Sequence, residues 1–401
     1  MYRKYLIRII AVIFLLTGCA VQKQPEDTET EEYPVFEAGI DSISKYGNIV
    51  LSVGAEAMRA LGYEPADVVL VTIGSAEMEM PVGVQYTDAD SGEPVCAWIT
   101  DENSGREYVV LAINTGSLAE TMGIAVKHSM DAEPGYVWEY CEGFDASVPV
   151  TVSMAEKQGY AEEYAMHQTG GVRTNKREDY AYLSDAEYAN FREIRTAGMG
   201  EGTLFRSSSP IDPSLGRSRQ ADEAMMNALI GTVINMTDTE ERMKAYADYP
   251  GSYYSGCRII ALNMNIDFSS AEFEEKLAEG FRFIAANEGP YLLHCKEGKD
   301  RTGFAAAILE CLMGAGKDEI IDDYMKTFTD YYNIEEGSEQ YTKTAERNIL
   351  KSLQRAFGID EIGADTDLAG QAEDYLVRIG MKKDEIAALK KRLQADYGGR
   401  Y

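Results

Sequence analysis

The sequence is short of positive charge. Its 401 residues hold 38 Lys and Arg against 67 Asp and Glu, a formal net charge of -29. A nucleic-acid-binding face needs a basic surplus to meet phosphates, so general nucleic-acid binding is excluded. A small local anion site is not excluded, because local geometry decides that. Histidine is scarce, with three residues, and the six cysteines form no Cys-x-x-Cys pair; His-x-x-x-His is absent too. A structural zinc site therefore has no ligand pattern to rest on. The apolar run near the N-terminus, Ile9 to Leu16, falls short of the roughly 20 residues that span a bilayer.

That run follows Arg3, Lys4 and Arg8, and the combination reads as a secretory signal. It ends in Leu16-Thr17-Gly18-Cys19, which resembles the bacterial lipobox. The resemblance implies a signal peptide over 1–18, cleavage before Cys19 and lipid on its sulfur. The acidic, Pro-containing stretch 19–37 then reads as a tether. The expected location is the outer face of the cell membrane, with the lipid as the membrane contact.

Residues 38–155 read as one β-rich domain, barrel-like, with apolar strands at Ile49–Leu51, Asp67–Val71 and Tyr108–Ala112 between Gly, Asp and Asn turns. One helical stretch, Ala55 to Leu61, interrupts them. Cys96 and Cys141 fall here and either form a disulfide or stay as two free thiols. Residues 156–185 are polar, carry Gly170-Gly171 and read as a linker. From 186 to 401, buried-strand runs (Gly231–Met236, Ile259–Asn263, Tyr291–His294) alternate with helical patterns such as Ala271–Ala286 and Thr302–Met313. That alternation predicts an α/β fold, a central sheet flanked by helices.

The chemistry concentrates between the last strand and its helix, in His294-Cys295-Lys296-Glu297-Gly298-Lys299-Asp300-Arg301-Thr302. A phosphate dianion needs donors on its oxygens and a nucleophile in line with the leaving group. Backbone N–H groups of a tight loop can curl around it as a nest. The helix N-terminus points positive charge at the same place. Arg301 can grip two oxygens, and the same field favours the thiolate of Cys295. Gly298 supplies backbone freedom. Thr302 can donate its hydroxyl to the sulfur, and His294 can brace the loop. Two carboxylates compete as the acid for the leaving oxygen: Asp300 in the loop, and Asp267, which could equally cap a helix near Ser269.

The string His-Cys-x-x-Gly-Lys-Asp-Arg-Thr-Gly resembles the signature of the bacterial tyrosine phosphatase family, related to lipid-active and dual-specificity phosphatases. Asn190-Phe191-Arg192, Leu204-Phe205-Arg206-Ser207, Val233-Ile234-Asn235-Met236 with Glu240, and Ala372–Leu376 with Gly380 extend the resemblance over 186–395. One departure is Glu193-Ile194-Arg195, where the family usually carries a Gly-Gly pair. The resemblance implies a cysteine-dependent phosphatase domain over 186–401, working through a cysteinyl-phosphate without metal or cofactor. It implies Asp300 as acid in the loop. Lys296 and Lys299 resemble lipid-directed relatives, so expected substrates are phosphotyrosine (or phosphoserine and phosphothreonine), inositol phosphates and phosphoinositides. Arg206 reads either as part of the pocket rim or as one half of an ordinary salt bridge, and Cys257 as a buried thiol flanking a strand or, as in related phosphatases, a trap for the oxidised Cys295 as a disulfide. The competing reading is an anchored phosphate-binding protein with an inactive phosphatase domain.

Overall fold

The computed structural model describes residues 33–101, 104–130, 135–167 and 174–398; the signal peptide, Cys19 and most of the tether lie outside them. Ten strands come first: β1 (Phe36–Ala38), β2 (Ile40–Ile43), β3 (Ile49–Leu51), β4 (Val68–Ile73), β5 (Ala76–Gly83), β6 (Pro94–Thr100), β7 (Glu107–Ile113), β8 (Ala125–Ser129), β9 (Tyr136–Tyr140) and β10 (Val150–Glu156). Eight of them form one sheet in the order β1-β10-β4-β5-β6-β7-β3-β2, while β8 and β9 make a separate hairpin. The two edge strands, β1 and β2, are separated in the chain only by Gly39. The sheet therefore curls until its edges nearly meet, which leaves little exposed edge. Its strands alternate as a half-buried surface requires: β4 buries Val69, Val71 and Ile73 around Trp98, Leu111 and Val152.

The second half holds β11 (Arg192–Glu193), β12 (Leu204–Ser207), β13 (Thr232–Asn235), β14 (Arg258–Ala261) and β15 (Tyr291–His294). Their order is β11-β12-β15-β13-β14, parallel except for β11. β13 and β15 are buried along their whole length, as strands with both faces covered must be. One face packs on the helices Ala271–Ala286, Asp300–Met313, Leu368–Arg378 and Lys383–Leu393; the other packs Phe205, Val233 and Leu292 on Met225 and Tyr254. The Asp300–Met313 helix is sheathed on all sides, every residue from Arg301 to Met313 being buried. Gly303 permits this, because a Cβ there would lie 2.7 Å from the Tyr324 ring.

Pro34–Tyr401 is one compact unit. Asp90 pairs with Arg347 at 3.4 Å, and Ser91 meets Ser352 at 3.1 Å, tying the β-rich half to the helices. The stretch expected to be a linker instead contains a helix at Ala161–His167 and a single helical turn at Arg177–Tyr180. Its charges had hidden a helix whose His167 is nearly buried and lies 3.1 Å from Arg347. Cys96 and Cys141 are both free thiols.

Candidate functional site

β15 is the central strand, so the loop after His294 opens at the carboxyl end of a parallel sheet, where such sheets bind ligands. Groups packed beneath the loop decide its shape. The Ser209 N–H donates to Lys296 O at 3.1 Å. Asn190 Nδ2 donates to Glu297 O at 3.0 Å. Arg206 Nη2 donates to Gly298 O at 2.7 Å and Lys299 O at 3.3 Å. Four consecutive carbonyls are thus drawn outward, which turns the peptide N–H groups inward as a nest. The Gly298 N–H reaches Cys295 Sγ at 3.3 Å. Gly298 has φ +76°, and a Cβ there would lie 2.3 Å from Ser207 O. Only glycine fits.

Arg206 was expected at the pocket rim, and the structure corrects this. Its side chain has no exposure and lies under the loop, with Nη1 on Asp323 Oδ2 at 2.5 Å. A fully buried guanidinium needs a counter-charge, and Asp323 also takes Arg192 Nε at 2.9 Å. Burial alone would raise the Asp323 carboxyl; the two guanidiniums reverse this and hold it low. Neighbouring Glu310, also buried, is pushed well above its ordinary value by burial and then by Asp323. Arg206 therefore positions the loop.

His294 is buried, and burial, then the nearby Arg301 charge, push it down to about 3. It is neutral at working pH. Its Nδ1 lies 3.3 Å from Cys295 O, which can only accept, so Nδ1 carries the hydrogen. Nε2 then accepts from Tyr254 O–H at 2.9 Å. The imidazole is a strut between a carbonyl of the loop and Tyr254. Thr302 Oγ1 is buried and has no hydrogen-bond partner among the described residues. Arg301 is buried too, with Nη1 on Met236 O (3.3 Å) and Met264 O (3.0 Å). Its Nε and Nη2 have no protein acceptor among the described residues, which suits a two-pronged hold on phosphate.

The two candidate acids lie in different surroundings. Asp300 opens the helix after the loop, its side chain 45% exposed and 3.7 Å from Lys299 Nζ. It is one of the negative groups acting on Arg301. Asp267 lies in the segment between β14 and the next helix, where its Oδ1 accepts from the Ser269 N–H at 3.0 Å. Burial raises its carboxyl above the ordinary value, and the charges that act on it most, Glu120 and Arg355, are not on the Cys295 loop. Of the loop's lysines, Lys296 is exposed. Lys299 departs from its expected place among the substrate-binding cations. It is buried, with Nζ 3.3 Å from Tyr332 Oη and 5.5 Å from the Phe328 ring centroid, drawn to that helix by the aromatic faces.

Cys257 is a free thiol immediately before β14, the strand-flanking reading of the two. Arg258 and Tyr291 both stand level with Thr232, so Cys257 lies level with Pro290 at the far end of the sheet. Five residues of strand separate that level from Cys295, roughly 16 Å at the usual rise, and a disulfide cannot form across it.

Several residues near the site were not legible in the sequence. Tyr46, on the turn between β2 and β3, has its ring centroid 5.9 Å from Arg301 Cζ, and Lys45 Nζ is 5.8 Å from the same ring. Tyr254 and Asn190 hold the loop. Asn190 has φ +55°, and that left-handed turn aims its amide at Glu297 O. Only Asn190 had a signal, as part of Asn-Phe-Arg.

Residues 186–395 match the sequence profile of the tyrosine phosphatase family. A protein of Cupriavidus necator named as a tyrosine-protein phosphatase is 42% identical over 124 residues, 31% of this chain and 33% of the relative. The chain thus spans about a third of the length of that relative. Among solved structures, TpbA of P. aeruginosa in complex with pTyr is 18% identical, over 50% of this chain and 94% of that one, with a TM-score of 0.29. The core catalytic domain of the PP-IP phosphatase SIW14 from S. cerevisiae is 17% identical, over 42% and 91%, with a TM-score of 0.25.

Proposed function

The chain belongs to the tyrosine phosphatase family, and on that premise we propose that it is a phosphomonoesterase whose nucleophile is Cys295. The observation that carries this reading is the wiring of the loop. Four carbonyls are tied outward and the Gly298 N–H lies on Cys295 Sγ. Such a nest binds an anion, and with Arg301 and Thr302 beside the thiol it is suited to hold a phosphoryl group against Cys295.

In the first step the Cys295 thiolate attacks phosphorus. An S–P bond forms, the P–O bond to the leaving group breaks, and the Asp300 carboxyl gives its proton to the departing oxygen. In the second step water attacks phosphorus and loses its proton to the Asp300 carboxylate. The S–P bond breaks, inorganic phosphate leaves, and the thiolate is regenerated. Arg301 holds two phosphoryl oxygens throughout, and the unpartnered Thr302 hydroxyl is available to the sulfur as it leaves. Asp300 is preferred to Asp267 because it stands on the loop and acts on Arg301.

Phosphotyrosine and inositol phosphates, free or as lipid headgroups, are the proposed substrate classes. The lipobox-like Leu16–Cys19 segment supports a lipid-anchored, extracytoplasmic protein; Cys19→Ala should release it from membranes into the soluble fraction. The catalytic reading is tested with Cys295→Ser. Hydrolysis of aryl phosphate should fall by about 10⁴-fold or more, as when a covalent nucleophile is lost, while phosphate-ester binding persists. Unchanged hydrolysis would refute the assignment.

A further inference from the structure

The half of the chain outside the family match brings positive charge to the site. Lys45 stands on the turn between β2 and β3, and its Nζ donates to Asn263 Oδ1 at 2.5 Å. Lys276, on the helix Ala271–Ala286, donates to Asn263 O at 3.0 Å. The carbonyl of the next residue, Met264, accepts from Arg301 at 3.0 Å. Cations from three separate elements therefore converge on two consecutive residues. Lys127, on β8, joins them through Glu272, the carboxylate it shares with Lys276 (3.4 and 2.8 Å). Arg242 stands nearby, held by Asp238 at 3.5 Å.

This concentration runs against the composition, since the chain as a whole carries a net charge of -29. Among the described residues Lys45 has no carboxylate partner, only the neutral Asn263 amide. Its ammonium is pushed down to about 7, first by burial and then by Arg301, Lys127, Lys276 and Arg242. Like charges gathered on adjoining residues, with Lys45 held by a neutral amide alone, mark a place prepared for an anion. The Tyr46 ring centroid lies 5.8 Å from Lys45 Nζ and 5.9 Å from Arg301 Cζ. The unmatched charge thus adjoins the catalytic arginine.

We propose that Lys45, with Lys127 and Lys276, forms a second anion subsite beside the Cys295 loop, so that the favoured substrate carries at least two phosphoryl groups on one small scaffold. One group lies over Cys295 and its neighbour on Lys45. This rests on the phosphatase reading and deepens it: residues outside the catalytic fold choose the substrate. The shared chemistry is a polyphosphorylated polyol, free or as a lipid headgroup.

The test compares kcat/KM for phenyl phosphate, a soluble inositol bisphosphate, and the same headgroup on a short-chain lipid. In Lys45→Met the ratio of bisphosphate to monophosphate efficiency should fall about tenfold, mainly through KM, the reach of one hydrogen bond to a charged group. Lys45→Arg should restore most of it. Lys127→Met, which leaves the turn untouched, should move the ratio the same way by a smaller factor. Whichever bisphosphate shows the larger drop identifies the source. Binding gives an independent readout: adding Lys45→Met to Cys295→Ser should weaken calorimetric affinity for inositol bisphosphate about tenfold. If wild type hydrolyses no phosphate ester but this affinity still depends on Lys45, the subsite stands and the phosphatase reading falls. If turnover proceeds and neither ratio nor affinity responds to Lys45, the subsite is overturned.

Discussion

The two regions that meet beside Arg301 are built on opposite plans. The loop from Cys295 to Arg301 works through its backbone, with each carbonyl from Lys296 to Lys299 tied down and a left-handed glycine at its turn. The turn carrying Lys45 and Tyr46 works through two side chains, and Lys45 is held by a single bond to Asn263. A backbone device fixes where phosphorus sits and tolerates almost no change of geometry. A side-chain device can change its charge without touching the chemistry. On the proposed reading, catalysis belongs to the first region and selectivity to the second.

Breaking the first region should have the larger effects. Asp300→Asn should lower turnover of alkyl phosphates by about 10²- to 10⁴-fold, the usual worth of a general acid. The loss should be smaller for p-nitrophenyl phosphate, whose leaving group needs no proton. A greater loss in Asp267→Asn with the same leaving-group dependence would move the acid to Asp267. Gly298→Ala comes next. Its Cβ would meet Ser207 O at 2.3 Å with φ held at +76°, and about 1–3 kcal/mol of strain should appear as a lowered urea midpoint. Turnover should fall about 100-fold, since a displacement of an ångström is enough for that. Wild-type turnover in this variant would show that the loop's shape is not what matters.

His294 links the loop to stability. Its folded value of about 3 lies below its ordinary 6.5, so between these values the unfolded chain binds the proton and the native one does not. Its contribution is present above pH 6.5 and is lost as pH falls toward 3. His294→Gln should flatten that acid slope by up to about 1.4 kcal/mol per pH unit, read from urea titrations at pH 7 and 5. An unaltered slope would mean that other groups carry it.

The smallest effect belongs to the second region. Lys45, at about 7 against an ordinary 10.5, is faced by Arg301, Lys127, Lys276 and Arg242, and by the Tyr46 ring. Between pH 7 and 10.5 the unfolded chain holds the extra proton, so native stability rises with pH through that window and the cost is full below pH 7. Lys45→Met should therefore raise Tm at pH 6 by roughly 2 °C, with the gain shrinking toward pH 10. A drop in Tm would show that the lysine supports the fold, contrary to a site held ready for an anion.

The contrast also explains what could be read in advance. The strand before Cys295, the helix after it and the glycine between are local features, and local pattern shows them. The curled sheet was legible as short strands between turns. Arg206 was misplaced because a sequence does not show which face of β12 it occupies, and burial against Asp323 depends on a helix more than a hundred residues away. Lys299 was misplaced for a similar reason, the aromatic rings of Phe328 and Tyr332 drawing it off the loop. Lys45 gave no local sign at all. Its meaning comes from Asn263, over two hundred residues distant.

The central claim, that phosphorus passes through Cys295, is tested most directly by acid quench during turnover of an aryl phosphate bearing a labelled phosphoryl group. The label should be recovered on the peptide containing Cys295, should accumulate further in Asp300→Asn, and should be absent from Cys295→Ser. Steady turnover with no label on that peptide would contradict the account.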